Sequence, residues 1–147
     1  MNYSVTKNEF NISTDKNKIN LDYVYQFLTQ SYWSPGTSMQ IVKKAMEGSL
    51  CFGVYDNNKQ VGYARVITDT ATFAYLADVF IDEEFRGKGL GKWLVGAILA
   101  HPGLQGLRRT LLATRDAHSL YAQFGFTPFT NPERWMQIHI PDAYKNK

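Results

Sequence analysis

Asp78-Val79-Phe80-Ile81-Asp82-Glu83-Glu84-Phe85-Arg86-Gly87-Lys88-Gly89-Leu90-Gly91-Lys92-Trp93-Leu94 reads as an apolar strand, a short acidic turn and a glycine-rich turn that opens a helix. Gly87, Gly89 and Gly91 alternate with other residues where that helix must begin, so little side-chain bulk shields its first backbone N–H groups. Those unpaired donors, together with the positive end of the helix dipole, form an anion site. Arg86, Lys88 and Lys92 crowd the same place. Cations at a helix N-terminus are each unfavourable by about 0.3–1 kcal/mol, and a bound polyanion turns that cost into attraction. The pattern suits a pyrophosphate.

Three phosphate-binding patterns compete for this turn, and spacing separates them. A Walker-type loop requires Gly-x-x-x-x-Gly-Lys followed by a hydroxyl residue; here Trp93 follows Lys92 and Arg86 stands at the first glycine. The dinucleotide fingerprint requires a glycine at position 92, which is lysine. The pattern that fits is Arg-x-x-Gly-x-Gly, filled by Arg86, Gly89 and Gly91. It resembles the acyl-CoA-binding turn of the GNAT superfamily of N-acetyltransferases. Downstream, Ala117-His118-Ser119-Leu120-Tyr121-Ala122-Gln123-Phe124-Gly125-Phe126 is similar to that family's second signature, Ala-x-x-Leu-Tyr-x-x-x-Gly-Phe. Two motifs in the right order make the resemblance specific, and it spans roughly residues 49–140.

Working outward, the 147 residues are long enough to bury a sizeable core, and we expect one domain over 1–147. The net charge of +3 suits a polyanionic cofactor and is too small to demand nucleic acid. One cysteine, Cys51, excludes an internal disulfide framework and gives no metal cluster, which fits a reducing cytoplasmic setting. The start lacks a basic region followed by an apolar one, so no signal peptide is expected. The longest apolar run, Trp93 to Ala100, is far short of the roughly 20 residues that span a bilayer.

Residues 1–20 are polar, with at most one strand near Phe10 to Ser13. Leu21, Val24, Tyr25 and Leu28 recur at helical spacing, predicting a helix from about Asn20 to Gln30. Ser38 is placed to cap a second helix that ends at Gly48. Ser49–Tyr55 and Gln60–Thr68 flank a hairpin turn at 56–59, and Thr72–Ile81 forms a third strand. The helix after the glycine turn stops at His101-Pro102-Gly103. Leu107–Thr114 then reads as a buried strand parallel to Thr72–Ile81. Asp116 is placed to cap a short helix ending at Gly125, and Arg134–Ile140 would be a closing strand. The expected fold is α/β with a mixed sheet: antiparallel strands first, then a parallel βαβ unit and flanking helices. The family resemblance implies the same architecture.

The resemblance also implies a reaction: direct attack of an amine on the thioester of acetyl-CoA, with no metal. Arg86, Gly87, Lys88, Gly89, Leu90, Gly91 and Lys92 would hold the pyrophosphate, although the same glycines would also serve a merely structural turn. Pantetheine would pair along Val79, Phe80 and Ile81, with a backbone N–H near Val79–Phe80 as oxyanion donor. Tyr121 matches the family's general acid for the departing thiolate; its alternative is packing beside Phe124. Thr114 stands where the family often carries an asparagine near the cofactor, and a hydroxyl replaces only one of the amide's hydrogen bonds.

For the base, period two puts Leu76, Asp78 and Phe80 on one strand face, so Asp78 sits among apolar neighbours. It is either a base whose pKa burial raises or a carboxylate paired with Arg65 or Arg115. His118 has a suitable intrinsic pKa, and water-relayed deprotonation is a further route. Tyr32, Trp33, Phe73 and Tyr75 are candidate walls for an amine-bearing substrate, or else core. Cys51 reads as an inert buried thiol.

The acceptor is expected to be a small-molecule or peptide amine, and the assembly a monomer or homodimer, with no membrane or nucleic-acid partner. A non-catalytic CoA-binding regulatory module is the alternative. Arg108, Arg109 and Arg115 are too few and too mixed with acids to make a nucleic-acid stripe.

Overall fold

Most of the expected strands line up in one sheet, and the two strands of the 56–59 hairpin are buried along most of their length. The computed structural model describes residues 2–144, and among them the sheet has six strands in the order β1-β2-β3-β4-β5-β6. These are β1 (Ser4–Lys7), β2 (Phe10–Ser13), β3 (Leu50–Asp56), β4 (Lys59–Thr68), β5 (Phe73–Ile81) and β6 (Arg109–Leu111). The first four pairings are antiparallel, and β5 with β6 is parallel across a helical crossover. The sheet is therefore mixed, as the sequence predicts. Only β1 escapes the sequence reading: its polar residues form an exposed edge that turns into β2 through Asn8, whose φ is 56°.

Helix starts follow local capping chemistry. In α1 (Leu21–Leu28) the Asn20 side chain accepts from the Tyr23 N–H, and in α2 (Met39–Glu47) the Ser38 hydroxyl accepts from Ile41. Helix α3 (Leu90–Ala100) starts at Gly89, which has no side chain to cap it. Helix α4 (His118–Ala122) follows β6. Two apolar clusters fill the opposite faces of the sheet. On one, Leu94, Val95 and Ile98 of α3 pack on Phe52, Val61, Val66 and Leu76. On the other, Val24, Leu28, Val42 and Met46 of α1 and α2 pack with Cys51, Tyr63 and Phe80. Among the described residues no helix is long and apolar enough to cross a membrane.

Four expectations need correction. Leu76 and Phe80 do not share a face: Leu76 lies in the α3 cluster and Phe80 in the α1–α2 cluster. A β-bulge in β5 causes the inversion, because an odd residue between them shifts the period-two alternation. The Leu107–Thr114 strand is paired only over Arg109–Leu111 and is half-buried, because it diverges from β5 beyond that point. Asp116 caps nothing; instead the Thr114 hydroxyl accepts the Ala117 N–H at 3.1 Å at the start of α4. Finally, Arg134–Ile140 forms no strand, and its residues are exposed apart from any sheet.

Candidate active site

The bulge in β5 organises the site. Tyr63 pairs with Phe80 and Arg65 with Ala77, so two steps along β4 oppose three along β5. Asp78 takes up the extra residue with φ 54°, a left-handed conformation that aspartate tolerates better than most side chains. The parallel ladder between β5 and β6 ends at Tyr75 opposite Leu111. Beyond it the two chains part, leaving a cleft of about 440 Å³. Tyr75, Asp78 and Val79 line one wall, Leu112 to Ala117 the other, and Tyr32, Trp33 and Tyr121 close it.

The segment carrying Tyr32 and Trp33 is tied to the bulge. The Trp33 indole N–H donates to Asp78 Oδ1 at 2.8 Å, and Arg65 Nε donates to Asp78 Oδ2 at 2.5 Å. The Asp78 side chain is 8% exposed and that of Arg65 19%, so this is a nearly desolvated ion pair. Burial works against the charged Arg65 guanidinium, and the Asp78 carboxylate offsets it, so the group stays charged. Of the two readings of Asp78, the geometry is that of the paired carboxylate, with Arg65 as partner. Arg115 instead lies over the Tyr32 ring at 3.9 Å, and its backbone N–H donates to the Tyr32 hydroxyl at 3.3 Å.

Tyr121 lies on α4, 8% exposed, with its ring edge-on to Phe126 at 5.7 Å. Burial, and secondarily the nearby Tyr32, push its phenol above the ordinary value, so it stays protonated throughout the neutral range. Among the remaining candidates, Tyr75 and Thr114 face the cleft. Phe73 does not, since it sits at the start of β5 opposite Arg109. His118 is exposed on α4 and faces a separate hollow behind β6. The Phe80 ring points away from the cleft and stacks on Phe27 at 3.7 Å, which leaves only its backbone near the site. Cys51 is fully buried, its thiol 3.4 Å from the Tyr63 hydroxyl, and burial raises its pKa.

The glycine turn lies at the far end of β5. Arg86 Nε donates to the Ile81 carbonyl at 3.2 Å and folds the turn against the strand. Gly87 and Gly89 have φ of 83° and 78°, and no atom lies within 4 Å of the place a Cβ would occupy at either. Lys88 and Lys92 are exposed beside the first turn of α3, which no side chain caps. An open, uncapped helix start flanked by lysines fits a pyrophosphate. Among the described residues no group of three or more His, Cys, Asp or Glu comes together to hold a metal ion.

This arrangement can be set beside known proteins. The profile of the acetyltransferase (GNAT) domain matches residues 47–128, from the end of α2 to just past α4. The chain belongs to the GNAT acetyltransferase family. A Gibberella zeae protein named as an acetyltransferase, FG08082, is 30% identical over 141 residues, which cover 80% of this chain and 78% of that protein. A solved structure of a Xanthomonas campestris protein assigned to the same family is 46% identical with a TM-score of 0.90, covering 92% of this chain and 96% of the other. A Clostridium acetobutylicum structure described with acetyl-CoA shares 10% identity and a TM-score of 0.63, and shows likeness of fold.

Within the GNAT frame, the ion pair that fixes the cleft wall was only half visible in sequence. Arg65 interrupts an apolar strand, which signals a buried partner. Nothing local ties Trp33 to Asp78, 45 residues away.

Proposed function

We propose that the protein is a single-domain, acetyl-CoA-dependent N-acetyltransferase acting on a primary amine of a small molecule or peptide. The observation that carries this reading is the cleft where β5 and β6 part, with Tyr121 buried at its edge and the uncapped α3 start at the end of the same strand. Gly87, Gly89, Leu90 and Gly91 offer backbone donors to the pyrophosphate, while Arg86, Lys88 and Lys92 neutralise it. The free edge of Val79, Phe80 and Ile81 holds the pantetheine arm. When bound, acetyl-CoA supplies an activated thioester carbonyl.

The chain's own groups then do the remaining work. A backbone N–H at the bulge, near Val79–Phe80, donates to the carbonyl oxygen as negative charge builds there; such a donor is worth about 3–4 kcal/mol. The amine nitrogen bonds to the acetyl carbon as the carbon–sulfur bond breaks. Tyr121 gives its proton to the departing sulfur, and the ammonium proton leaves through water. Asp78, held by Arg65 and Trp33, acts as a positioning residue: it fixes the bulge and the Tyr32–Trp33 wall. Tyr32, Trp33, Tyr75 and Arg115 receive the acceptor. The buried, unpaired Cys51 supports a reducing, cytoplasmic setting.

The test is a calorimetric titration with acetyl-CoA, with NADH and ATP as controls, followed by an amine panel read by thiol release. Selective binding and thiol release support the reading. Binding without transfer to any amine points to a CoA-binding regulatory module, and no selective binding overturns both.

A further inference from the structure

Four charged residues line the cleft, and they are not equally engaged. Arg65 and Asp78 neutralise each other. The Arg65 guanidinium donates to Asp78 and, at 3.2 Å, to the Ser49 hydroxyl, while both Asp78 oxygens accept, one from Trp33 and one from Arg65. The other two are Arg115 and Asp116, on the wall across from Val79. The Arg115 guanidinium lies 3.9 Å over the Tyr32 ring, yet among the described residues it donates no hydrogen bond. Asp116 Oδ2 stands 3.7 Å away, beyond hydrogen-bond reach, and the two side chains are 65% and 67% exposed. A pair that open is worth little.

Arg115 is therefore a cation held in place with its donors unused. Tyr32 meets Trp33 edge-on at 5.0 Å, and the Trp33 indole is tied to Asp78, so the guanidinium is positioned from the buried ion pair outward. Stacking on the ring removes part of the rotamer freedom that an arginine loses on binding a ligand. Its planar fork of N–H groups fits the two oxygens of a carboxylate. With Arg65 engaged, the lining offers one open positive charge, which balances one carboxylate. A phosphate monoester brings about two negative charges and lacks a second cation here. A diamine fares no better, because the one open acid for its second ammonium is Asp116, which lies in the field of Arg115.

We propose that the acceptor is an amino carboxylate: Arg115 holds its carboxylate on one side of the cleft while its amine meets the thioester beside Val79. The proposal rests on the acetyltransferase reading and narrows it, making Arg115 the residue that sets acceptor specificity.

The experiment pairs each member of a panel of α- and ω-amino acids with its own amide, and adds diamines and ethanolamine phosphate. By thiol release, at least one amino carboxylate should exceed its amide in kcat/KM by about 10–100-fold, the effect of one charge-assisted hydrogen-bonded pair. In Arg115→Gln that ratio should fall to near one, through KM rather than kcat. Asp116→Asn removes the competing acid and should lower the KM of the same carboxylate. A second readout needs no turnover: phenylglyoxal modifies exposed arginines, and peptide mass mapping follows Arg115. An amino carboxylate should slow the modification of Arg115, and its amide should not. Equal use of acids and amides, a preference for diamines or for the phosphate, a ratio unchanged in Arg115→Gln, or no protection of Arg115 overturns the proposal. Acetylation of amines without carboxylate preference overturns it while the enzymatic reading stands. If no amine is acetylated, that reading fails by itself, and protection of Arg115 across the panel alone decides the carboxylate site.

Discussion

Asp78 separates two mechanisms, because a positioning carboxylate and a general base respond differently to removal of its charge. Asp78→Asn keeps a side chain that tolerates the left-handed backbone and retains an oxygen for the Trp33 indole, but it takes the counter-charge from Arg65. Losing one charge-assisted hydrogen bond costs about 1.5–3 kcal/mol. Asp78→Ala removes both acceptors and strands a largely buried guanidinium. Breaking a buried pair costs about 3–5 kcal/mol. Alanine at φ 54° adds about 1–2 kcal/mol. At roughly 2–4 °C of Tm per kcal/mol in a chain of this size, the asparagine variant should melt several degrees lower and the alanine variant at least twice as far below the parent. Differential scanning calorimetry at pH 7 reads the shifts, and steady-state kinetics on a working amine reads the function. In the positioning role, Asp78→Asn keeps most of kcat and raises the acceptor KM. Two results refute the reasoning: an alanine variant as stable as the asparagine one, or an asparagine variant that loses about 10²-fold or more in kcat, as a lost base would.

Four further outcomes follow from the same geometry. Tyr121→Phe should lower turnover by about 10²–10⁴-fold while leaving acetyl-CoA affinity nearly unchanged, and near-normal turnover removes Tyr121 from the chemistry. Because burial raises the Tyr121 pKa, the alkaline limb of the parent's kcat profile should lie above the ordinary tyrosine value of about 10. Gly89→Ala meets no atom within 4 Å, so its cost is conformational, about 1–2 kcal/mol of stability; the acetyl-CoA Kd measured by calorimetry should rise with it. His101 accepts the Gly103 N–H through Nδ1 at 2.9 Å, and burial lowers its pKa. Its contribution is therefore complete above the ordinary histidine value of about 6.5 and fades as pH falls through the lower folded value. Urea midpoints between pH 7.5 and 5 should drop less in His101→Asn, whose Oδ1 takes the same hydrogen bond.

The parts of this molecule that were legible in its sequence are those whose causes are local. The spacing of Leu21, Val24, Tyr25 and Leu28 marks α1, Ser38 caps α2, the 56–59 turn joins β3 to β4, and the glycines mark where α3 begins. Each is decided by chemistry within a few residues. The bulge at Asp78 was hidden because no local residue announces it: Leu76, Asp78 and Phe80 have a regular strand pattern, and the extra residue appears only in the pairing with β4. The Trp33–Asp78–Arg65 cluster was hidden for the same reason, since it joins three separate parts of the chain. Arg134–Ile140 errs the other way. Its apolar residues alternate, but its surroundings decide otherwise: Trp135 stacks on Phe129, and Tyr144 lines a hollow on the α1–α2 side.

The bulge is worth more to this protein than a regular strand would be. An unbroken β5 would place Phe80 on the same face as Leu76, against α3, and the α1–α2 cluster would lose the ring that stacks on Phe27 and meets Tyr63 at 6.0 Å. Inverting the alternation at Asp78 lets one strand serve both cores, Leu76 on one face and Phe80 on the other. The strained residue is then held from three directions: Phe80 anchored two residues on, Arg65 from β4 and Trp33 from the segment above the cleft. Strain persists only where its surroundings over-determine it. Here those surroundings are the walls of the site, so packing that stabilises the fold also holds Val79 at the cleft. Loosening any of the three contacts should therefore weaken stability and catalysis together, which a purely structural bulge or a purely catalytic aspartate would not do.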